Sequence, residues 1–200
     1  MEDFETLLEG SVREHGHLCA GQVIGVRMAL LGLRLIGLEN PKGTPEIKKL
    51  IVYVEIDRCA TDAIGYVTGA KLGRRSLKFR DMGIMAATFV NLETGRAVRV
   101  VSTERSRELA GEYAPEVVDR YQQQLAAYRV MPDSALFTVH EVEVAIPEAD
   151  MPGPSRFKRE CEGCGQTVRD RKEIVREGRA LCHACAGLAY YGEGPAIPLD

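Results

Sequence analysis

The sequence predicts an α+β domain followed by a small cysteine-framed module, and three observations carry that expectation. Strand-like and helix-like stretches follow one another without regular alternation, which argues for α+β layers over a doubly wound parallel sheet. Four of the six cysteines, Cys161, Cys164, Cys182 and Cys185, crowd into the last forty residues. Between the two regions, PEADMPGPSR (147–156) holds three prolines and a glycine in ten residues and reads as a linker. The expected organisation is a core domain over residues 1–146, a linker over 147–158 and a small domain over 159–200.

At 45% hydrophobic and 28% charged, with a mean hydropathy of −0.14, the 200-residue chain is able to bury a core. Its start, MEDFETLLEG, is acidic and lacks the basic lead and apolar run of a secretory signal, so a cytoplasmic location is expected. Thiols stay reduced there, and clustered cysteines then read as metal ligands or reactive groups instead of disulfides. The longest apolar stretch, 23–38, is broken by Arg27 and Arg34 and falls short of the roughly 20 residues a bilayer span needs, so no membrane insertion is expected.

Residues 3–14 place Phe4, Leu7, Leu8 and Val12 at helical spacing, a short amphipathic helix that Gly16 should interrupt. A more apolar helix is expected over 19–38, with Arg27 and Arg34 on one polar stripe. Gly21, Gly25 and Gly32 each cost that helix about 1 kcal/mol of propensity, a penalty tolerated where another backbone comes close, so tight packing is expected along it. After turn residues at 40–45, IVYVEID (51–57) is a β-branched strand, and a helix should follow over 61–68. Cys59 then stands between a strand end and a helix start, where free N–H groups and the helix dipole favour a thiolate.

The next segment, AKLGRRSLKFRDMG, sets Lys71, Arg74, Arg75, Lys78 and Arg80 against the single acid Asp81. Such a charge run is either a solvated hairpin face or a cradle for a small anionic ligand, since guanidinium groups pair well with carboxylate or phosphate. Strands are expected at 84–92 and 97–102, joined as a hairpin through 93–96. Two helices, 104–113 and 116–130, are separated near Pro115, a proline of the kind that starts a helix. A strand over 136–146 closes the domain.

From Cys161 the spacing is C-x2-C-x17-C-x2-C, as in four-thiolate zinc sites. Tetrahedral zinc takes four such ligands at about 2.0–2.3 Å, and a C-x2-C turn brings two thiolates to one ion. Between the pairs, TVRDRKEIVREGRALC supplies two extended runs and the turn REG; after Cys182, HACAGLAYY is compatible with a helix. A knuckle, a hairpin and a helix carrying the second pair make a treble clef, the expected form, whereas a zinc ribbon would put both knuckles in hairpins. So small a module needs the metal to fold. A site closed by four cysteines is structural, and His183 is a bystander. Residues 155–185 carry eight basic and five acidic side chains, a net of 8 − 5 = +3 against 18 − 24 = −6 elsewhere. That bias falls short of the dense basic face nucleic acids require. A protein contact explains it equally, and DNA or RNA binding is kept as the alternative class.

HGHLCAG (15–21) puts His15, His17 and Cys19 into five positions. If the chain turns at Gly16 and a helix begins near Leu18, His17 and Cys19 flank its first turn, where orphan N–H groups face a pocket. His15 would share a face with Cys19 only if the helix ran through Gly16. The helix over 19–38 should pack on the strand that leads to Cys59, so the two thiols are expected to converge. Two thiolates and an imidazole suit a soft divalent metal and leave one position open for Lewis-acid or metal-hydroxide chemistry. Asp62 either hydrogen-bonds a ligand or caps its helix, and the cap is the expected role. The basic stretch 71–80 would hold an anionic substrate near the metal.

Together, HGHLCAGQVIGVRMA, CATDAIGYVTGAKLGRRSLKFRDMGIMAATFVN and the four-cysteine tail resemble the FmdE family, named for a component of formylmethanofuran dehydrogenase, with its His-x-Cys and Cys-x-x-Asp signatures. The resemblance covers nearly the whole chain. It implies an α+β core with an auxiliary treble-clef zinc finger, a homodimer, and a groove lined by His17, Cys19 and Cys59 that acts as a metal or catalytic site. It also implies structural zinc, a second divalent metal in the core, and molybdenum or tungsten oxidoreductase subunits as partners, in methanogenesis-related carbon dioxide fixation onto methanofuran. This chain has neither a second four-cysteine ferredoxin pattern nor a pterin-binding region, so it does not run that redox chemistry alone. The functional expectation is a metal-dependent accessory protein or enzyme linked to those oxidoreductases, with turnover itself left open. The alternative is a zinc-finger adaptor or regulator, of protein or nucleic acid, whose core senses an anion. No serine–histidine–aspartate triad and no Walker-type glycine loop stands in the chain.

Overall fold

The structure, a computed structural model, describes residues 3–192 together with Gly194 and Ile197. It forms two units, the first ending at Ala145 and the second beginning at Ile146.

The first unit starts with α1 (Phe4–His15), capped by the Asp3 carboxylate, which accepts from the Thr6 N–H at 2.9 Å. Gly16 ends it in the left-handed conformation, φ 101°, with its N–H on the Val12 carbonyl. Helix α2 (Ala20–Ile36) follows and is buried along most of its length. Then come β1 (Leu50–Val54), α3 (Cys59–Thr68), β2 (Leu77–Phe79), β3 (Ala86–Asn91), β4 (Ala97–Ser102), α4 (Arg105–Tyr113), α5 (Arg120–Val130), α6 (Asp133–Leu136) and β5 (Phe137–Glu141).

The five strands make one sheet in the order β2-β1-β3-β4-β5. All its pairs are antiparallel except β1 with β2, whose connection runs through α3, the length of crossover that parallel neighbours need. The register sets Val52 and Val54 beside Phe89 and Ala87, and these beside Val98 and Val100. That face is buried in the hydrophobic core with α2, which packs on β3 and β4 and against α1, α3 and α5. The glycines of α2 are contact points: a Cβ at Gly25 would stand 2.5 Å from the Ala60 carbonyl oxygen, and one at Gly32 would enter the Phe89 ring. Arg27 clamps α5, donating to the carbonyls of Tyr128, Arg129 and Met131 and to Asp133 at 2.7 Å.

Several boundaries move from their expected places. The strand expected to reach residue 57 stops at Val54, because Glu55 turns inward and accepts two bonds from Arg99 at 2.7 and 2.6 Å. Its helix begins at Cys59, not Thr61. Pro115 starts no helix; α5 begins five residues later, where Asp119 accepts from the Gln122 N–H at 2.9 Å. The closing strand is confined to Phe137–Glu141, with the four-residue α6 ahead of it. No described helix is long and apolar enough to cross a membrane.

In the second unit, β6 (Lys158–Glu160) pairs with β7 (Thr167–Arg169) around the turn that carries Cys161 and Cys164. A hairpin of β8 (Ile174–Arg176) and β9 (Arg179–Leu181) turns through Glu177 and Gly178, φ 52° and 75°, the left-handed pair of a type I′ turn. It leads into Cys182. Here the helix expected after Cys182 does not form among the described residues. The Ala186 N–H bonds the Cys182 carbonyl for a single turn, and Gly187, φ 73°, stops it in a Schellman motif, the Gly187 N–H donating to the Ala184 carbonyl and the Leu188 N–H to the His183 carbonyl. The proline-rich stretch contributes a short 3-10 turn, Glu148–Asp150, whose buried Asp150 pairs with Lys172 at 3.4 Å.

Candidate metal centre and adjoining cavity

The HGHLCAG stretch is a reversal between two helices. Left-handed Gly16 ends α1 just after His15, and the chain returns through His17 to Cys19, the N-cap of α2. One ligand atom from each of His15, His17 and Cys19 lies within 4.8 Å of the other two, close enough to share a metal ion. The two imidazole centroids are 4.7 Å apart.

His15 Nδ1 lies 2.9 Å from Asp62 Oδ2. Asp62 stands in the first turn of α3 and is not its cap; the N-cap is Arg58, which makes no side-chain bond. With Nδ1–H donated to the carboxylate, the lone pair falls on Nε2, and that atom is buried with no hydrogen-bond partner. A carboxylate behind one ring nitrogen is how metal-binding histidines are oriented and made more basic. An orphaned buried nitrogen costs about 1–3 kcal/mol, a cost that a bound metal ion would remove.

Cys59, the first residue of α3, approaches Cys19 across Gly21, where a Cβ would lie 2.9 Å from Cys59 Cβ and 3.7 Å from Cys19 Sγ. Burial, then the hydrogen bond and charge of Cys19, push the Cys59 thiol up. The helix dipole, expected to favour a thiolate, is outweighed. Cys59 lies outside the mutually close set of His15, His17 and Cys19 and joins it through Cys19. Buried Gln22 holds the three helices in register: its Nε2 donates to the Cys59 carbonyl at 2.7 Å and its Oε1 accepts from the Ser11 hydroxyl.

A cavity of about 650 Å³ opens beside the centre. His15, Asp62 and Tyr66 line it, as do the cations Lys42, Lys71 and Arg74. Lys42 Nζ sits 3.3 Å from the Tyr66 ring centroid. Of the expected basic cluster, Lys71 and Arg74 face the cavity, whereas Arg75, left-handed at φ 61°, and Lys78 are not among its lining residues. Lys42, distant in sequence from the basic run, carries no local signal.

In the second unit the sulfurs of Cys161, Cys164, Cys182 and Cys185 all lie within 4.8 Å of one another, and Cys164 and Cys182 are 3.8 Å apart. The Cys182 N–H reaches Cys161 Sγ at 3.1 Å, and the Cys185 N–H reaches Cys182 Sγ at 3.4 Å. Gly163 makes room, since a Cβ there would stand 2.9 Å from Cys185 Sγ. The Cys182 N–H lowers the Cys161 thiol to about 6. Contact with Cys164 first, then Cys182 and Cys161, pushes Cys185 up to about 12. Four thiolates therefore cannot coexist here without a cation, and the group suits a metal ion such as zinc.

A family described as "FmdE, Molybdenum formylmethanofuran dehydrogenase operon" matches residues 14–138, a span that holds every residue of the core centre and none of the four-cysteine group. A probable S-adenosyl-L-methionine-binding protein from Archaeoglobus fulgidus is 30% identical over 202 residues, covering 92% of this chain and 53% of that protein. The chain thus spans about half the length of this curated relative. A tungsten formylmethanofuran dehydrogenase FmdE-like protein from Syntrophus aciditrophicus has the same fold, with a TM-score of 0.59 and 19% identity over 95% of both chains.

Proposed function

Because the chain belongs to the FmdE family, whose match spans more than half its length, we propose that it is a metal-binding protein with two centres of different purpose. His15, His17 and Cys19 hold a divalent ion in the core, with Cys59 alongside. The observation that carries this is the buried, unpartnered His15 Nε2, whose sister nitrogen is tied to Asp62. Two imidazoles and one thiolate are borderline ligands suited to zinc or a similar ion, and three ligands leave a coordination position open. When bound, such an ion supplies Lewis-acid chemistry at that position. Asp62 keeps the imidazole in the tautomer that presents Nε2, and Gln22 keeps the helices that deliver the ligands in place.

The four-cysteine module is a zinc treble clef whose closing helix is cut to one turn, and its closed site serves folding. The family's description, which names a molybdenum formylmethanofuran dehydrogenase operon, supports an accessory or catalytic role beside such oxidoreductase subunits; a cytoplasmic homodimer is the form we propose for the chain in that role.

Metal analysis of the purified full chain tests the reading. Two equivalents are expected, one lost on His15→Ala or Cys19→Ala and the other on Cys182→Ser. A single equivalent that survives both His15→Ala and Cys19→Ala contradicts the core site. A second reading takes its ligand from the name of the Archaeoglobus relative, because a cavity of about 650 Å³ is large enough for S-adenosyl-L-methionine. Calorimetric titration with that compound decides it: saturable heat supports the reading and none removes it.

A further inference from the structure

The cavity has a length and a polarity. Asp62, Gly65, Tyr66 and Gly69 stand at positions i, i+3, i+4 and i+7, so they form one stripe along α3 and its cap. At 1.5 Å of rise per residue, the stripe from Asp62 to Gly69 spans roughly 10 Å. One end meets His15 through Asp62. Past the other end, beyond the helix cap at Gly69, stand Lys71 and Arg74, and Lys42 lies over Tyr66 on the way. Gly65 leaves the middle open.

The chain's net charge is −3; basic groups such as Arg27, Arg34, Lys49 and Arg99 pair with acids, others such as Arg13 and Lys48 are exposed, and what sets these three cations apart is that they share a cavity. Among the described residues, Lys42, Lys71 and Arg74 form no ion pair, yet all three border one cavity. The two acids that line the cavity belong to its His15 end, Glu14 next to His15 in α1 and Asp62 bonded to its ring, which leaves the end at Lys71 and Arg74 to an anionic ligand.

We infer that this cavity takes a small, elongated metabolite with an oxyanion, carboxylate or phosphate, at one end. Arg74 and Lys71 hold the oxyanion, Lys42 neutralises it from the side of Tyr66, and the far end of the molecule lies toward His15. The orientation rests on the core metal reading; the oxyanion site does not.

The test titrates inorganic phosphate, and separately succinate, into the full metal-loaded chain by calorimetry. Saturable binding of either is expected, and the better of the two assigns the head group. Lys71→Met and Arg74→Ala should each weaken it by about tenfold or more, as loss of a charge-assisted bond does. Arg74→Lys should recover part of the loss, and Lys48→Ala, an exposed cation outside the cavity, should change nothing. Metal content should stay at two per chain in all four variants. No saturable binding of either anion, or binding that the Lys71 and Arg74 variants leave intact, overturns the inference. Phosphate binding that persists in His15→Ala leaves the oxyanion site standing by itself, and loss of the core metal in that variant is then read separately.

Discussion

Gly25→Ala should destabilise the chain and loosen its core metal centre together. A Cβ there would lie 2.5 Å from the Ala60 carbonyl oxygen, 2.7 Å from Ala63 Cβ and 2.8 Å from Ala60 Cα. Ordinary contact begins near 3.4 Å, so α2 and α3 must part by about 0.9 Å (3.4 − 2.5) at this point. Two of the three obstacles are backbone atoms that cannot rotate aside. Overpacking costs about 1–3 kcal/mol, and alanine returns up to about 1 kcal/mol of helix propensity. With backbone in the way the cost falls at the upper end, for a net loss of about 2 kcal/mol. In a chain of this size that lowers Tm by about 4–8 °C. Helix α3 carries Cys59 and Asp62, so the same movement stretches the 2.9 Å contact between Asp62 and His15. Gly111→Ala is the control. Its Cβ meets only the Gln123 side chain, at 3.8 Å and beyond, so it should raise stability by about 0.5–1 kcal/mol. Thermal unfolding followed by circular dichroism, with metal content measured alongside, reads both effects. A Gly25→Ala protein that melts at or above the parent and keeps its full metal would refute the close helix contact.

Asp62→Ala should weaken core metal binding by about 10- to 100-fold without touching the finger's metal, measured by competition with a chromophoric chelator. Glu55→Gln leaves Arg99 facing a neutral partner at a site where Glu55 is buried, and a loss of about 3 kcal/mol in denaturant unfolding is expected. Removing the finger's metal with a chelator should unfold the second unit while the helices of the first persist.

Much of the scaffold is legible in the sequence because its signals are local. The apolar spacing of α1, the glycines of α2 and the β-branched run of β1 each act within a few residues. Cys59 at a strand-to-helix junction follows from the same signals. The centre is harder to read. Helical-face reasoning sets His15 aside because Gly16 breaks the helix, yet that same reversal at left-handed Gly16 folds His17 and Cys19 back beside it. Asp62 reads as a cap because caps occupy such positions; its true partner is 47 residues away. Lys42 and Gln22 act through tertiary contacts alone, and no local pattern marks either. After Cys182, helix-compatible residues lose to a single glycine, Gly187, whose left-handed backbone ends the turn.

Anomalous diffraction from crystals of the full chain, recorded at the metal absorption edges, tests the central claim most directly. The account predicts two peaks per chain: one enclosed by the four finger cysteines, the other bonded to His15 Nε2, His17 and Cys19. A single peak at the finger, with His15 Nε2 facing no metal, would contradict it.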